Sequence, residues 1–212
     1  MSKTLQYLYD PLCGWCYGAM PALAKLQGVA GLTLELLPTG LFAGQGARAM
    51  DADFANFAWS NDQRIATQTG QDFSEAYRRL VLADRQQRFD SGPATLALSA
   101  VAATAPAREY DALKAIQLAR YVEGRDVTSA ASLVAILHAL GLSDAAALLA
   151  HPEPALVSLN KARTRQAQEL LQAFAARGVP TLLLESAGQR SVLNSSALFA
   201  NPAALIEQLA AA

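Results

Sequence analysis

Two cysteines separated by two residues, Cys13 and Cys16, are the clearest chemical feature of this chain, which has no others. In the first turn of a helix, side chains three positions apart point to the same side, so the two sulfurs can form a disulfide with little backbone movement. The free N–H groups and the dipole of a helix N-terminus favour a thiolate. The spacing therefore predicts a redox pair in which Cys13 is the nucleophile and Cys16 the resolving thiol.

The two residues between the cysteines are predicted to contact substrate. Gly14 permits a tight turn and leaves space for a substrate peptide, and Trp15 offers a large apolar surface at an exposed turn. An alternative is that both cysteines are inert core thiols, as free cysteines often are. The strand–turn–helix context described below favours the redox interpretation.

A metal site is not predicted. A four-thiolate zinc site needs a second cysteine pair, and the remaining candidates, His138 and His151, have no ligand-like spacing. No organic cofactor is expected either, because the electrons of thiol–disulfide exchange reside in the cysteine pair.

Hydrophobic patterning places the cysteines at a strand-to-helix turn. Residues 4–9 and 32–37 alternate or run apolar as strands do, and residues 17–27 have helical spacing, with Pro21 expected to interrupt them. This opening is a β-α-β unit. Most of residues 51–177 is predicted to be helical, with Thr128 capping one helix and a long helix over 154–177. The chain then returns to strands at 181–184 and 191–193 and ends in a helix that starts at Asn201 or Pro202.

Three segments, YDPLCGWCYG, QLARYVEGRDV and GVPTLLL, resemble the DsbA-like thiol oxidoreductases. Within this family, the chain is similar to a cytosolic branch described as predicted protein-disulfide isomerases, which includes FrnE-like proteins. The resemblance implies an α/β, thioredoxin-like fold (β-α-β … β-β-α) with a large all-helical insertion. It places the thioredoxin part at about 1–45 and 178–212 and the inserted subdomain at about 46–177.

The same resemblance implies a second half of the site at Val179 and Pro180. In this family the matching proline is cis and faces the cysteine pair. The backbone N–H and C=O of Val179 are then expected to pair with an extended substrate chain beside the sulfurs. A buried acid near the resolving cysteine can accept a proton in such folds, and Glu35 is a candidate for that role or for an exposed position.

Composition excludes several other functions. The net charge of −1 provides no basic excess for nucleic acid, and 52% hydrophobic residues with 17% charged ones exclude intrinsic disorder. No stretch of about 20 strongly apolar residues predicts a membrane span. The first residues do not resemble a secretory signal, so a cytoplasmic protein is expected.

The predicted function is thiol–disulfide exchange with protein or peptide substrates, as reductase, isomerase or oxidase, with glutathione or a thioredoxin-type protein as electron donor. One alternative is a glutathione-linked enzyme resembling kappa-type transferases or hydroxychromene-carboxylate isomerases, which use a single serine or cysteine; Cys16 argues against it. A second alternative is a redox-sensitive binding module without catalysis. An alanine-rich helix surface would allow a homodimer.

Overall fold

The computed structural model describes residues 3–211, and six strands lie within this range. They are β1 (Lys3–Tyr9), β2 (Leu32–Pro38), β3 (Arg48–Ala49), β4 (Arg88–Phe89), β5 (Thr181–Ser186) and β6 (Gln189–Leu193). The same range contains eleven α-helical segments. They are α1 (Gly14–Gly18), α2 (Met20–Leu26), α3 (Ala52–Thr69), α4 (Glu75–Tyr77), α5 (Gly92–Thr104), α6 (Glu109–Tyr121), α7 (Ala130–Ala139), α8 (Ser143–Ala150), α9 (Pro154–Ala173), α10 (Ala197–Ala200) and α11 (Pro202–Ala211).

The main sheet has the strand order β2-β1-β5-β6, with β1 parallel to β2 and antiparallel to β5. β6 adds to the edge as an antiparallel partner of β5. Alternate residues of β1 face opposite layers: Leu5, Tyr7 and Tyr9 belong to the large core, whereas Leu8 packs with residues of α9. The predicted thioredoxin-like α/β fold with a helical insertion is confirmed.

The helix after the cysteines is divided, as the proline predicted. Ala19 separates α1 from α2, and Pro21 occupies the first turn of α2, where a missing N–H costs no hydrogen bond. Glycines on α1 also let the insertion approach closely. A Cβ at Gly18 would lie 2.8 Å from Cγ2 of Ile65 in α3. The cysteine-bearing helix therefore packs directly on α3.

The insertion also contains a short ladder that the periodicity did not predict. β3 pairs antiparallel with β4, so that Arg48 is opposite Phe89. Two residues are too few to show an alternating pattern in a sequence. The ladder connects the segments that precede α3 and α5, and it holds the Phe89 ring against Phe42, with ring centroids 4.7 Å apart.

Two predicted helix ends differ from the observed ones. The cap of α7 is Ser129, whose hydroxyl accepts a hydrogen bond from Ser132 N, and not Thr128. Thr128 instead donates through its N–H and its hydroxyl to Asp126, which forms a local turn. The long helix α9 ends at Ala173, because the chain reverses through Ala175 at a positive φ of 49° before it reaches Gly178.

Gly124 is a glycine of this insertion that should tolerate alanine poorly. It has φ +68°, and a Cβ there would lie 2.7 Å from the backbone of Ala76. We expect Gly124→Ala to lower the free energy of unfolding by about 3 kcal/mol, from the left-handed conformation and the backbone overlap together. Gly141→Ala is the matched control, since Gly141 has φ +72° and open space around it. Urea denaturation should give a loss of about 1 kcal/mol for the control, and equal losses would contradict this account.

Within residues 3–211, no helix is both long enough and apolar enough to span a bilayer.

Candidate active site

The two cysteines occupy different positions at the start of α1. Cys13 is the N-cap residue with extended backbone, and Cys16 lies within the first turn. Both are free thiols. Cys13 is 8% exposed and lines a groove, whereas Cys16 is 0% exposed. Cys13 is therefore the more accessible of the two thiols.

The surroundings of Cys16 favour its protonated form. Burial raises the pKa of the Cys16 thiol well above its usual value, and a hydrogen bond with Cys13 raises this pKa further. The backbone N–H of Asp10 also bonds this thiol and acts in the opposite direction. On the other side, Sγ of Cys13 lies 3.7 Å from the carbonyl oxygen of Val179. Cys13 therefore connects the two halves of the predicted site.

The groove above Cys13 has a volume of about 300 Å³ and mainly apolar walls. Gly14, Trp15 and Val179 line it. Pro180 is buried next to Val179, and the peptide bond between them is cis. The Trp15 ring packs edge-on against Phe199, with centroids 5.0 Å apart. All four residues predicted to contact substrate thus lie together at the cysteine pair.

Half of the residues that line the groove come from the insertion, and they were not predicted as site residues. The lining side chains of the insertion are mainly aromatic or apolar, with one amide and one carboxylate; they are Phe54, Phe57, Ala58, Asn61, Asp62, Tyr77, Phe89 and Tyr121. One signal was present in the sequence. Ala55, Ala58 and Ile65 mark the buried face of α3, and Asp62 lies on that face. An acidic residue at an apolar-face position marks a candidate functional group.

Asp62 lies directly beneath the cysteine turn. It is 4% exposed, its Oδ2 accepts a 2.9 Å hydrogen bond from the Tyr77 hydroxyl, and its Oδ1 occupies the space that a side chain on Gly14 would need. Burial raises the pKa of Asp62 to about 7, while the Tyr77 hydrogen bond and the charge of Arg120 act in the opposite direction. Gly14 is therefore required by the close approach of Asp62.

The cation near Asp62 is enclosed by aromatic rings. Arg120 is 1% exposed, and its guanidinium carbon lies 5.4 Å from the ring centroids of both Tyr77 and Phe89. Its Nε and Nη2 have no hydrogen-bond acceptor among the described residues. The charge also lowers the pKa of Asp10, although burial is the larger influence and raises it. Arg120 thus stabilises two buried carboxyl groups electrostatically.

Asp10 links the cysteine turn to the insertion through hydrogen bonds. One carboxylate oxygen accepts from Leu12 N at 2.9 Å, and the other accepts from Phe42 N at 3.1 Å and from the Ser91 hydroxyl at 2.7 Å. Asp10 itself is fully buried. Three segments far apart in sequence are joined by this one side chain.

Glu35 does not lie beside Cys16. It is paired with Gln6 across β1 and β2 and accepts a 2.7 Å hydrogen bond from the Gln6 amide. Adjacent strand residues face opposite sides, so Glu35 and Gln6 lie on the sheet face away from Tyr7. Tyr7 is the side chain that reaches the resolving cysteine, and its hydroxyl donates to the carbonyl of Cys16 at 3.1 Å. The candidate role of Glu35 as a proton acceptor is therefore not supported.

Among residues 3–211, no three or more His, Cys, Asp or Glu side chains lie together in a metal-binding arrangement.

Asp62 should make the stability of this protein fall as pH rises from about 4 to about 7. The unfolded chain releases this proton near pH 4, whereas the folded protein keeps it until about pH 7, so deprotonation favours unfolding across that window. The upper bound on this loss is about 4 kcal/mol, which corresponds to three pKa units. We expect Asp62→Asn to reduce the fall in stability across this window and to raise the free energy of unfolding at pH 8.

Urea denaturation between pH 4 and pH 8 measures this effect. Asp72→Asn, at an exposed position, is the control and should follow the wild-type pH dependence. If Asp62→Asn were less stable than wild type at pH 8, the carboxylate would be a stabilising group and this assignment would be wrong.

Comparison with known proteins places this site in a family. A model of the DSBA-like thioredoxin domain matches residues 4–210. The chain belongs to the DSBA-like thioredoxin domain family. It is therefore a member of a thiol–disulfide oxidoreductase family, in agreement with the predicted resemblance.

Solved structures include a relative from Pseudomonas aeruginosa, the cytosolic disulfide reductase DsbM. It has 34% sequence identity and a TM-score of 0.83, and the match covers 99% of this chain and 100% of that one. A second structure of DsbM, solved with GSH, has 33% identity, a TM-score of 0.82 and coverage of 97% and 96%. No curated protein matched the chain.

Two more distant structures share the fold. A proposed protein disulfide isomerase from Nitrosomonas europaea has 23% identity and a TM-score of 0.80, with 99% of this chain and 96% of that chain covered. A 2-hydroxychromene-2-carboxylate isomerase has 18% identity and a TM-score of 0.63, with coverage of 97% and 96%. At these identities the likeness concerns the fold alone.

Proposed function

We propose that this protein reduces or isomerises protein and peptide disulfides, with Cys13 as the nucleophile and Cys16 as the resolving thiol. The observation that carries the proposal is the unequal placement of the two thiols. Cys13 lines an apolar groove, while Cys16 is sealed behind it with a raised pKa. A two-step exchange requires one thiol that meets the substrate and a second thiol that stays protonated until the mixed disulfide has formed.

In the first step the Cys13 thiolate attacks one sulfur of a substrate disulfide. The Cys13–substrate bond forms, the substrate disulfide breaks, and the first substrate thiol leaves. Cys16 then attacks the Cys13 sulfur, and its proton passes to the second substrate sulfur. The Cys13–Cys16 disulfide forms and the second substrate thiol leaves, so two electrons pass from the protein to the substrate. Two donor thiols return the pair to the reduced state.

The groove supports a polypeptide substrate. Leu41 and Phe57 form an apolar rim, and Phe57 is 68% exposed. Exposed aromatic surface beside a reactive thiol favours substrates with an apolar side chain near their disulfide. Gly14 and Trp15 also line the groove. The backbone of Val179 lies within reach of a chain bound at Cys13. Pro180 follows directly and carries no N–H that would compete for the thiolate.

Glutathione is the electron donor that we propose, and the cytoplasm is the proposed place of action. The support comes from the relative DsbM, which is called a cytosolic disulfide reductase and was also solved with GSH. A cytosolic glutathione pool at about −220 to −320 mV would keep such a pair mainly reduced, which favours reduction or isomerisation over oxidation. We expect no metal and no organic cofactor to take part.

An equilibrium titration in glutathione redox buffers tests the proposal. Free thiols are trapped by alkylation and counted by intact mass. We expect a reversible Cys13–Cys16 disulfide between about −120 and −270 mV. A disulfide with a reduction potential below about −300 mV would be structural. A persistent single glutathione adduct without an internal disulfide would favour a glutathione-linked transferase or isomerase.

A further inference from the structure

The groove contains one ionisable group that the two-step exchange leaves unused. The titratable side chains that line the groove are Cys13, Asp62, Tyr77 and Tyr121. Burial raises the pKa of both tyrosines well above the usual value of 10, so neither exchanges protons near neutral pH. Apart from the nucleophile, Asp62 is therefore the side chain lining the groove that can take up or release a proton there.

The two carboxyl oxygens of Asp62 have different contacts. Oδ2 accepts from the Tyr77 hydroxyl, which fixes the orientation of the carboxyl group. Oδ1 meets the cysteine turn at Gly14, on the same groove wall as Cys13. The Asp62 carboxyl group and the Cys13 thiol therefore line the same groove, where a substrate sulfur would bind.

We propose that Asp62 is the acid–base group of this groove, which protonates the departing substrate thiolate and later deprotonates the donor thiol. The inference rests on the proposed function. In the forward step, Cys13 attacks and the substrate S–S bond breaks; the sulfur that leaves takes the proton of Asp62, so a neutral thiol departs and a carboxylate remains. In the return step, that carboxylate takes the proton of a glutathione thiol as its sulfur attacks the disulfide of Cys13 and Cys16. The proton that Asp62 gains returns it to its acid form.

The surroundings suit both protonation states. Asp62 lies against Gly14 at the start of α1 and accepts a hydrogen bond from Tyr77 on α4, and Arg120 and Tyr121 on α6 lie near it. Burial favours the acid form, while the Tyr77 hydrogen bond and the charge of Arg120 favour the carboxylate, and together they set the pKa of Asp62 at about 7. A group with a pKa near the working pH exchanges protons in both directions most effectively.

The first test varies the leaving group. We compare wild type, Asp62→Asn and Asp72→Asn with two substrates: a peptide with an alkyl disulfide, and Ellman's reagent, whose aromatic thiolate leaves without a proton. For the peptide at pH 6.5, Asp62→Asn should lower kcat/KM at least tenfold. For Ellman's reagent the loss should be below threefold. Asp72→Asn, at an exposed position, should match wild type with both substrates.

The second test varies the pKa of the carboxyl group itself. The Tyr77 hydroxyl lowers the pKa of Asp62, so Tyr77→Phe should move the inflection of the peptide pH–rate profile from near 7 to higher pH. In Asp62→Asn this inflection should vanish. Equal losses for the two substrates, or an unmoved inflection in Tyr77→Phe, would make Asp62 a structural residue. A wild-type protein that reduces neither substrate would overturn the proposed function itself.

Discussion

Cys16→Ser should convert this protein from a catalyst into a trap that holds substrate on Cys13. The variant keeps the groove and the nucleophile, but it lacks the thiol that would displace a bound substrate. We expect turnover of a disulfide peptide to fall at least a hundredfold, while intact mass shows one substrate half bound covalently. Cys13→Ser should lose turnover to the same extent without forming an adduct.

The paired variants distinguish the order of attack. The thiol left in Cys13→Ser is Cys16, which is fully buried and has a raised pKa. If Cys13→Ser accumulated the adduct and Cys16→Ser did not, the assigned roles would be reversed. Full turnover of a small electrophile with glutathione by Cys16→Ser would instead favour the glutathione-linked alternative.

Asp10→Ala should cost the most stability of any single change that we consider here. The substitution leaves two buried N–H groups and the Ser91 hydroxyl without their acceptor. Each buried polar group without a partner costs about 1–3 kcal/mol, so we expect a loss of about 4 kcal/mol. For a chain of 212 residues this lowers Tm by about 8–16 °C.

Ser91→Ala is the matched control for this measurement, because it removes one donor and leaves the acceptor in place. Its loss should be about 1 kcal/mol. Thermal unfolding followed by circular dichroism measures both variants. A loss below about 1 kcal/mol for Asp10→Ala would show that water replaces the carboxylate, and that the turn does not depend on this side chain.

The cysteine pair and its elements were predictable because they depend on near neighbours. Side chains three positions apart share a helix face whatever surrounds them, and the periods of strand and helix are properties of the backbone. The division of the helix near Pro21 follows from the missing N–H of proline. The roles assigned to Cys13 and Cys16 stay predictions until the variants above are measured.

The helix ends and the short ladder were harder to predict because several local choices compete. Thr128 and Ser129 are both good caps, and Asp126 decides between them by taking the Thr128 hydroxyl and N–H. The β3–β4 pair depends on two segments about forty residues apart, with no pattern in either. Such features are decided by contacts between segments.

The amino-acid sequence alone predicted the cysteine pair and its place at a strand-to-helix turn, and the packing of the insertion decided its environment. Cys13 and Cys16 are neighbours on one turn, so their relation is visible in the chain. Asp62 meets Gly14 only because α3 packs on α1, and Arg120 approaches Asp62 only because α6 lies behind the same groove. Spacing along a chain encodes local geometry, whereas the burial and charge around a thiol are sums over residues that only the folded chain brings together.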